Sequence, residues 1–397
     1  MASAEQREDM MDLARRALAH CLNQTTDTTE TIMTMPIEAY TDEKRYQAER
    51  NRIFSSLPIA GALSIELPRP GNYKTISILE KPLLLVRGDD GKARAFLNVC
   101  RHRGARICEA EEGVVKKFSC PYHSWVYDLQ GNLTSRYAAN TFGDLDHDSL
   151  GLTPVGCEEE AGIIWLTLDS SEQIDMKKWL GGMHEKLASL DLGNWHLFKK
   201  RELEGPGWKV TMDGYLEIYH HNTVHGRTVG QHTIGNLLVL DTHGPHQRLT
   251  LGRKSLKSLE TQPEEHWEPL EHIRLVHNCF PNLSISGILG DHCLVSLVFP
   301  GPTADTTRTI QYTLASETPE TKTELEAAEN FSAMVLQAVQ DEDYRLGLLI
   351  QDGIKAGANT QFLYGKNEPA VQNYHRWIDH FMRQEKDFSW DLAADQG

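Results

Sequence analysis

The sequence predicts an α+β protein in two parts: a small all-β unit, then a larger antiparallel sheet closed by a long helix. Three observations predict it. Between about 57 and 168, short apolar or alternating runs are separated by turn signals. From about 236 to 315 strand-like runs recur, and long helical patterns follow near 319–352 and 369–383. Two short segments, 100–125 and 213–225, concentrate cysteine, histidine and acidic residues. Strands closed by a long helix leave room for a cavity beneath it.

The 397-residue length suits about two domains, each able to bury a core. The net charge of −16 opposes nonspecific nucleic-acid binding. Seven cysteines at irregular spacing do not form the framework of a disulfide-stapled secreted domain. No cationic stretch followed by an apolar run opens the sequence, so no signal peptide is expected. No apolar run is long enough to span a bilayer. A cytoplasmic protein, bound to neither nucleic acid nor membrane, is the expectation.

Along the chain, residues 8–22 place Met10, Met11, Leu13, Ala14, Ala17, Leu18, Cys21 and Leu22 on one helical face. A polar, Thr-rich loop follows, and residues 42–54 form a second helical pattern. The organisation expected is an N-terminal helical segment and linker at 1–45, a first domain at 46–168 and a second at 169–397. In the first domain, "PLLLVR" and "ARAFLNV" flank "GDDG", a hairpin turn, and "SWVYDLQGNL" turns at Gln130-Gly131. In the second, a helical pattern at 172–191 precedes "GWKVTMDGYLEIYHHNTVHG" and the strands. No internal repeat is visible.

The segment "CRHRGARICEAEEGVVKKFSCPYHSW" holds Cys100, His102, Cys120 and His123, with seventeen residues between the two Cys-His pairs. Thiolates and imidazoles together suit zinc or iron–sulfur chemistry. Common zinc frameworks carry Cys-Cys or His-His blocks. Interleaved Cys-x-His and Cys-x2-His is the pattern of a Rieske [2Fe–2S] centre. The segment closely resembles the Rieske family, which implies Cys100 and Cys120 on one iron and His102 and His123 on the other. Trp125 and Tyr122 either shield the cluster or belong to the core. Cys108 lies outside the pattern and reads as a small buried hydrophobe. Arg101, Arg103, Arg106, Lys116 and Lys117 crowd the ligands. They read equally as a solvated loop or as a basic rim that steers an acidic electron donor.

An isolated electron carrier needs only about a third of this length. The remainder contains Glu217, His220, His221 and His225 in one short run. Two histidines and a carboxylate with open positions form the facial triad of non-haem Fe(II) oxygenases. From about residue 40 to 385 the chain resembles the catalytic (alpha) subunit of the Rieske non-haem iron oxygenases, the aromatic-ring-hydroxylating family. Glu217, His220 and His225 match its motif. "EDYRLGLLIQDG" matches its late helix, which makes Asp343 the third ligand and Gln351 a landmark, with Asp341 and Glu342 as rivals. On an ideal helix His221, not His220, shares a face with His225, since five residues turn about 140°. The family register favours His220 and so requires a broken helix. Asp213, one turn before Glu217, reads as support for the site or as a solvated residue.

The resemblance implies a small all-β Rieske domain plus a helix-grip catalytic domain, an antiparallel sheet around a long helix. It implies one [2Fe–2S] cluster and one mononuclear Fe(II) per chain, and a homotrimer. Electrons then pass from His123 of one chain through Glu217 to His220 of the next. They originate in NAD(P)H through a partner reductase, with or without a ferredoxin; no Gly-x-Gly-x-x-Gly fingerprint is visible here. "HNCFPNLSIS" and "DHCLVSLVFPG" are expected to line or stiffen the pocket. The expected reaction is hydroxylation or dihydroxylation of a small to medium aromatic substrate with O2. Glu217, where many ring hydroxylases carry Asp, keeps open a monooxygenase or demethylase acting on a quaternary amine, aryl ether or steroid. Two further alternatives are a non-catalytic Rieske carrier and a zinc-stabilised ligand-binding module.

Overall fold

The computed structural model describes residues 4–146, 148–287 and 291–383. They form two compact units: residues 54–179 with 190–194, and the remainder.

The smaller unit is the all-β one. Its main sheet has seven antiparallel strands, in the spatial order Ile59–Leu63, Ile163–Thr167, Pro154–Glu160, Ala93–Leu97, Lys81–Arg87, Asn72–Ile78 and Glu112–Val114. The "GDDG" hairpin pairs Arg87 with Ala93. A three-stranded sheet of Phe118–Ser119, Val126–Tyr127 and Leu133–Ser135 stands beside it. Its turn is set by Asp128, whose Oδ1 accepts from the backbone of Gln130 and Asn132, and by Gly131 at φ +87°. A Cβ at Gly131 would fall 2.5 Å from the Phe96 ring, so only glycine fits. The core between the sheets joins Tyr73, Leu84, Val86, Phe96, Trp125 and Tyr127 to Cys100 and Cys120.

The larger unit has a seven-stranded antiparallel sheet. Its order is His196–Gly205, Thr307–Ala315, His292–Pro300, Leu283–Ser286, Ile273–Cys279, His246–Arg253 and Thr233–His243. The long helix is continuous from Lys322 to Ala356, but its middle, Gln337–Tyr344, is π-helical. Phe331, Val335 and Val339 pack from it against Leu203 and Leu294. A capping box at Thr321 and Glu324 starts the helix, and Gly357 at φ +69° ends it.

The leading segment expected at 1–45 belongs to this unit. Its helix, Ala4–Asn23, buries Met11, Leu13, Ala14, Ala17 and Leu18 against Leu237, Val239, Leu259 and Leu275. Leu22 departs from the expected apolar face and is exposed, because the helix ends one residue later. The expected 172–191 helix is two short ones, Met176–Leu180 and Met183–Ala188, broken at Gly181-Gly182. Gly181 has φ +52°, a conformation that interrupts a helix. Ile288 and Leu289, within the 236–315 stretch of expected strands, lie outside the described residues. No helix of the described residues is long and apolar enough to cross a membrane.

Candidate active site

The two Cys-His loops of the smaller unit have the same backbone form. Cys100 N donates to Ala105 O and Gly104 N donates to Cys100 O, at 2.8 and 2.9 Å. Cys120 N donates to Trp125 O and Ser124 N to Cys120 O, at 2.8 and 3.0 Å. Each loop turns through a left-handed residue four positions after its cysteine, Gly104 at φ +78° and Ser124 at φ +54°. Both cysteines are buried and in no disulfide. His102 Nδ1 and His123 Nδ1 face each other at 3.2 Å. Two inward thiols and two facing Nδ1 atoms, on paired loops, fit a [2Fe–2S] group held two plus two.

Trp125 is in the core and also stacks on His102, with ring centroids 5.0 Å apart and planes 5° from parallel. Tyr122 is exposed, lies on His123 and carries Arg103 over its ring. Arg103 Nη2 reaches His123 Nε2 at 2.7 Å. Arg101 is tied to Thr153 and Ser149, while Arg106, Lys116 and Lys117 are exposed. Cys108 packs against the core, and burial pushes its thiol up to about 11. Two contacts escaped the sequence reading. Tyr127 Oη lies 3.5 Å from Cys100 Sγ and accepts from Arg101 N, and Phe142 meets the His102 ring edge-on. An aromatic alternation (Trp125, Tyr127) was the only signal for the first, and nothing local marked the second.

In the larger unit the helix Trp208–Tyr215 stops, and a separate turn, His221–Val224, follows. His220 and His225 are the residues flanking that turn. The break brings their Nε2 atoms to 3.1 Å despite the unfavourable helical spacing. Asp343 Oδ1 completes the group, 3.0 Å from His225 Nε2 and 3.5 Å from His220 Nε2. The far sides of both rings are also held. His220 Nδ1 meets Glu217 Oε1, and His225 Nδ1 lies 2.7 Å from Glu342 Oε2. Thr228 Oγ1 donates to the same Glu342 oxygen at 2.6 Å.

Ionised Glu217 and Glu342 can only accept, so the Nδ1 of each ring donates and each Nε2 is left to face Asp343 Oδ1. Those two ring nitrogens and the Asp343 oxygen converge within 3.5 Å, so a proton on Nε2 or a metal cation lies among them. Donors about 2.1 Å from a first-row metal and at right angles to each other stand about 3.0 Å apart. The donor set therefore fits a two-His-one-carboxylate metal.

The rivals separate cleanly. Glu342 and Asp343 take opposite ends of the His225 ring, while Asp341 uses its carbonyl to accept from Arg345. The π-helical turn carries both acidic groups, a distortion frequent at functional sites. Burial works against the charge on Glu342, yet His225 and Thr228 hold its carboxyl below the usual range. His221 also brings a ring nitrogen within 4.8 Å of ligand atoms of His220 and His225. Among the described residues it has no carboxylate partner and its buried Nδ1 has no hydrogen bond, and burial holds its pKa well below the usual imidazole value. Asp213 does not join the group. Its carboxylate accepts from Tyr40 at 2.6 Å and Tyr364 at 2.8 Å, and lies 2.8 Å from His375 Nε2. Gln351 is buried, and its side-chain carbonyl accepts from Gly207 N at the start of the Trp208 helix. Gly347 permits that approach, since a Cβ there would meet Pro206 at 2.6 Å.

A cavity of about 390 Å³ opens on His220, His225 and Asp343. Leu249, Leu251, Leu294, Phe331, Val335 and Val339 make much of its wall. Ser284 and Ser286 line it from "HNCFPNLSIS", and Leu294 from "DHCLVSLVFPG".

One donor set fit for a [2Fe–2S] group and another fit for a mononuclear metal, in one α+β protein, are the combination of the family found by comparison with known proteins. Residues 59–144 match the Rieske [2Fe-2S] domain, and residues 192–384 match the ring hydroxylating alpha subunit (catalytic domain). The chain belongs to the Rieske non-haem iron oxygenases, as a catalytic (alpha) subunit. It is similar to the glycine betaine monooxygenase oxygenase subunit of Chromohalobacter salexigens, 31% identical over 66% of this chain and 56% of that one. The carnitine monooxygenase oxygenase subunit of Escherichia coli K12 is 33% identical over 48% of this chain and 52% of that one. The aligned part is thus about half the length of the curated relatives. The quaternary ammonium Rieske monooxygenase CntA, solved with L-carnitine, has the same fold, with a TM-score of 0.76 at 21% identity over 94% of this chain and 99% of that one.

Proposed function

We propose that this chain is the terminal oxygenase component of a Rieske monooxygenase that oxidises a quaternary amine. The observation that carries the reading is the convergence of His220, His225 and Asp343 on one point of the cavity, with Glu217 behind His220. The choice of substrate class rests on the relatives named above and on glutamate at position 217.

In this reading Cys100, His102, Cys120 and His123 hold the cluster, and His220, His225 and Asp343 hold the iron. When bound there, the cluster would supply single electrons and the iron would supply the chemistry of O2. The protein residues do the rest. Glu217 and Glu342 keep both imidazoles in the Nδ1–H form, so that each Nε2 remains a donor. The aliphatic wall excludes water around the substrate. Glu217 also bridges His220 to His123 of a neighbouring chain in a homotrimer. A partner reductase, with or without a ferredoxin, reduces the cluster.

The aromatic reading is second, and the apolar wall with Phe331 favours it. One assay separates the two. Iron-loaded, chemically reduced protein receives labelled O2 and glycine betaine, carnitine, choline or benzene, and products are read by mass spectrometry. The proposal expects one labelled oxygen and loss of an alkyl group as an aldehyde. Two labels in a ring diol would move the enzyme to the aromatic class. Turnover of none of the four would remove the amine assignment.

A further inference from the structure

The cavity wall is mostly apolar, with uncharged polar groups such as Thr233, Ser284 and Ser286 among its lining, and its formally charged side chains fall at two places. One is the His–Asp group. The other is a pair of arginines, Arg253 and Arg274, that line the same cavity from neighbouring strands. Arg253 ends the strand His246–Arg253, and Arg274 is the second residue of Ile273–Cys279. Both side chains are half-buried.

Neither guanidinium has a carboxylate partner among the described residues. Arg253 Nη1 donates to Glu271 O at 2.9 Å. Arg274 Nη1 donates to Leu270 O and Ile273 O at 2.5 and 2.7 Å. The Nε and Nη2 groups of both remain uncommitted within the described protein, although each fork offers five N–H donors. Burial and the nearby Arg253 charge lower Arg274 to about 10. Two like charges beside an apolar cavity, without acid between them, are costly to hold. A bound anion offsets that cost, and the planar fork matches a carboxylate in two-point contact.

We propose that Arg253 and Arg274 form a carboxylate subsite, so that the substrate carries a carboxylate at the end remote from the oxidised carbon. This rests on the cavity being the substrate site, and deepens the amine reading: the quaternary amine is then a betaine-type zwitterion. Its cationic end lies towards Glu217 and Asp343, and its anionic end towards the arginines. A carboxylate-free cation gains nothing from the pair and meets two like charges.

The test measures binding to the iron-loaded, full-length protein by calorimetry, with two matched pairs of probes. Glycine betaine is set against choline, and benzoate against toluene. The proposal expects at least tenfold tighter binding of the carboxylate member in whichever pair the cavity accepts. Arg274→Gln and Arg253→Gln each reduce that preference at least fivefold by weakening the carboxylate member, and neither weakens binding of the choline cation. Should Arg274→Gln not fold, Arg253→Gln carries the same test. Equal binding within a pair, a preference untouched by both variants, or no binding of either carboxylate at millimolar concentration overturns the subsite. The two readings fail differently. Arginine-dependent binding of benzoate with no binding of betaine leaves the subsite and removes the amine. Equal, tight binding of betaine and choline does the reverse.

Discussion

The imidazoles of His220 and His225 meet at their Nε2 atoms, 3.1 Å apart, while the Nδ1 of each ring faces a carboxylate. Five residues separate them, and no regular helix allows this meeting. The chain manages it by ending one helix at Tyr215 and placing both histidines at the ends of a single turn. His221 lies inside the turn, with no carboxylate behind it among the described residues. His220→Ala is therefore expected to lose the mononuclear iron and keep the cluster iron, whereas His221→Ala retains most of both. Metal analysis with the visible spectrum of the cluster checks this. Equal iron loss from the two variants would falsify the assignment.

Glu342 holds His225 from behind and is itself held by Thr228. Partners of this kind typically contribute about 10–100-fold in metal affinity or activity. Glu342→Gln is expected to weaken mononuclear iron binding within that range without altering the cluster spectrum. Competition with a chelator measures it. An unchanged affinity would reduce Glu342 to a surface acid that happens to lie near.

Tyr127 places its hydroxyl 3.5 Å from Cys100 Sγ. Hydrogen bonds to cluster sulfurs raise the reduction potential, because they stabilise the added electron. A net hydrogen bond of about 1 kcal/mol corresponds to about 40 mV for one electron. Tyr127→Phe is expected to lower the cluster midpoint by about that amount. A redox titration followed by electron paramagnetic resonance decides it, and a potential that stays or rises contradicts the contact.

The N-terminal helix is tied to the sheet by Asp9, which accepts from both Nη atoms of Arg248 and pairs with Lys186 Nζ at 2.9 Å. Burial opposes the Asp9 charge, but Arg248 and Lys186 lower its pKa to about 2. The folded value lies below the unfolded one, so the stabilisation is complete above about pH 4 and fades as pH falls towards 2. Asp9→Asn should cost about 2 kcal/mol near neutrality and flatten the stability curve between those limits. Denaturant melts at several pH values test the sign. A parallel curve for the variant would show that Asp9 is not the titrating group.

Much of the fold was legible because periodicity is a local property. The Ala4–Asn23 helix, the hairpin around "GDDG" and the C-terminal helices follow from apolar spacing and turn residues. The misses have equally local causes: Gly181-Gly182 divides a helical pattern, and Leu22 falls where its helix ends. Asp213 shows the opposite case. Its partners Tyr40, Tyr364 and His375 lie far from it along the chain, so it read as solvated or supporting from its own neighbourhood.

The sequence by itself determined the chemistry of both sites. Thiolates and imidazoles in interleaved pairs are properties of residue type and spacing, and the two histidines joined to a late acidic helix were what the family resemblance implied. Only the tertiary structure decided which neighbour does what. "DEDY" offers three consecutive carboxylates. A π-helical turn sends Asp343 to one end of His225 and Glu342 to the other, while Asp341 accepts from Arg345 through its backbone carbonyl. Arg253 and Arg274 look like ordinary strand residues until adjacent strands bring both to one cavity. The reason is physical: coordination and recognition depend on distances of about 3 Å, and residues far apart in the chain reach them only once the sheet and its long helix have packed.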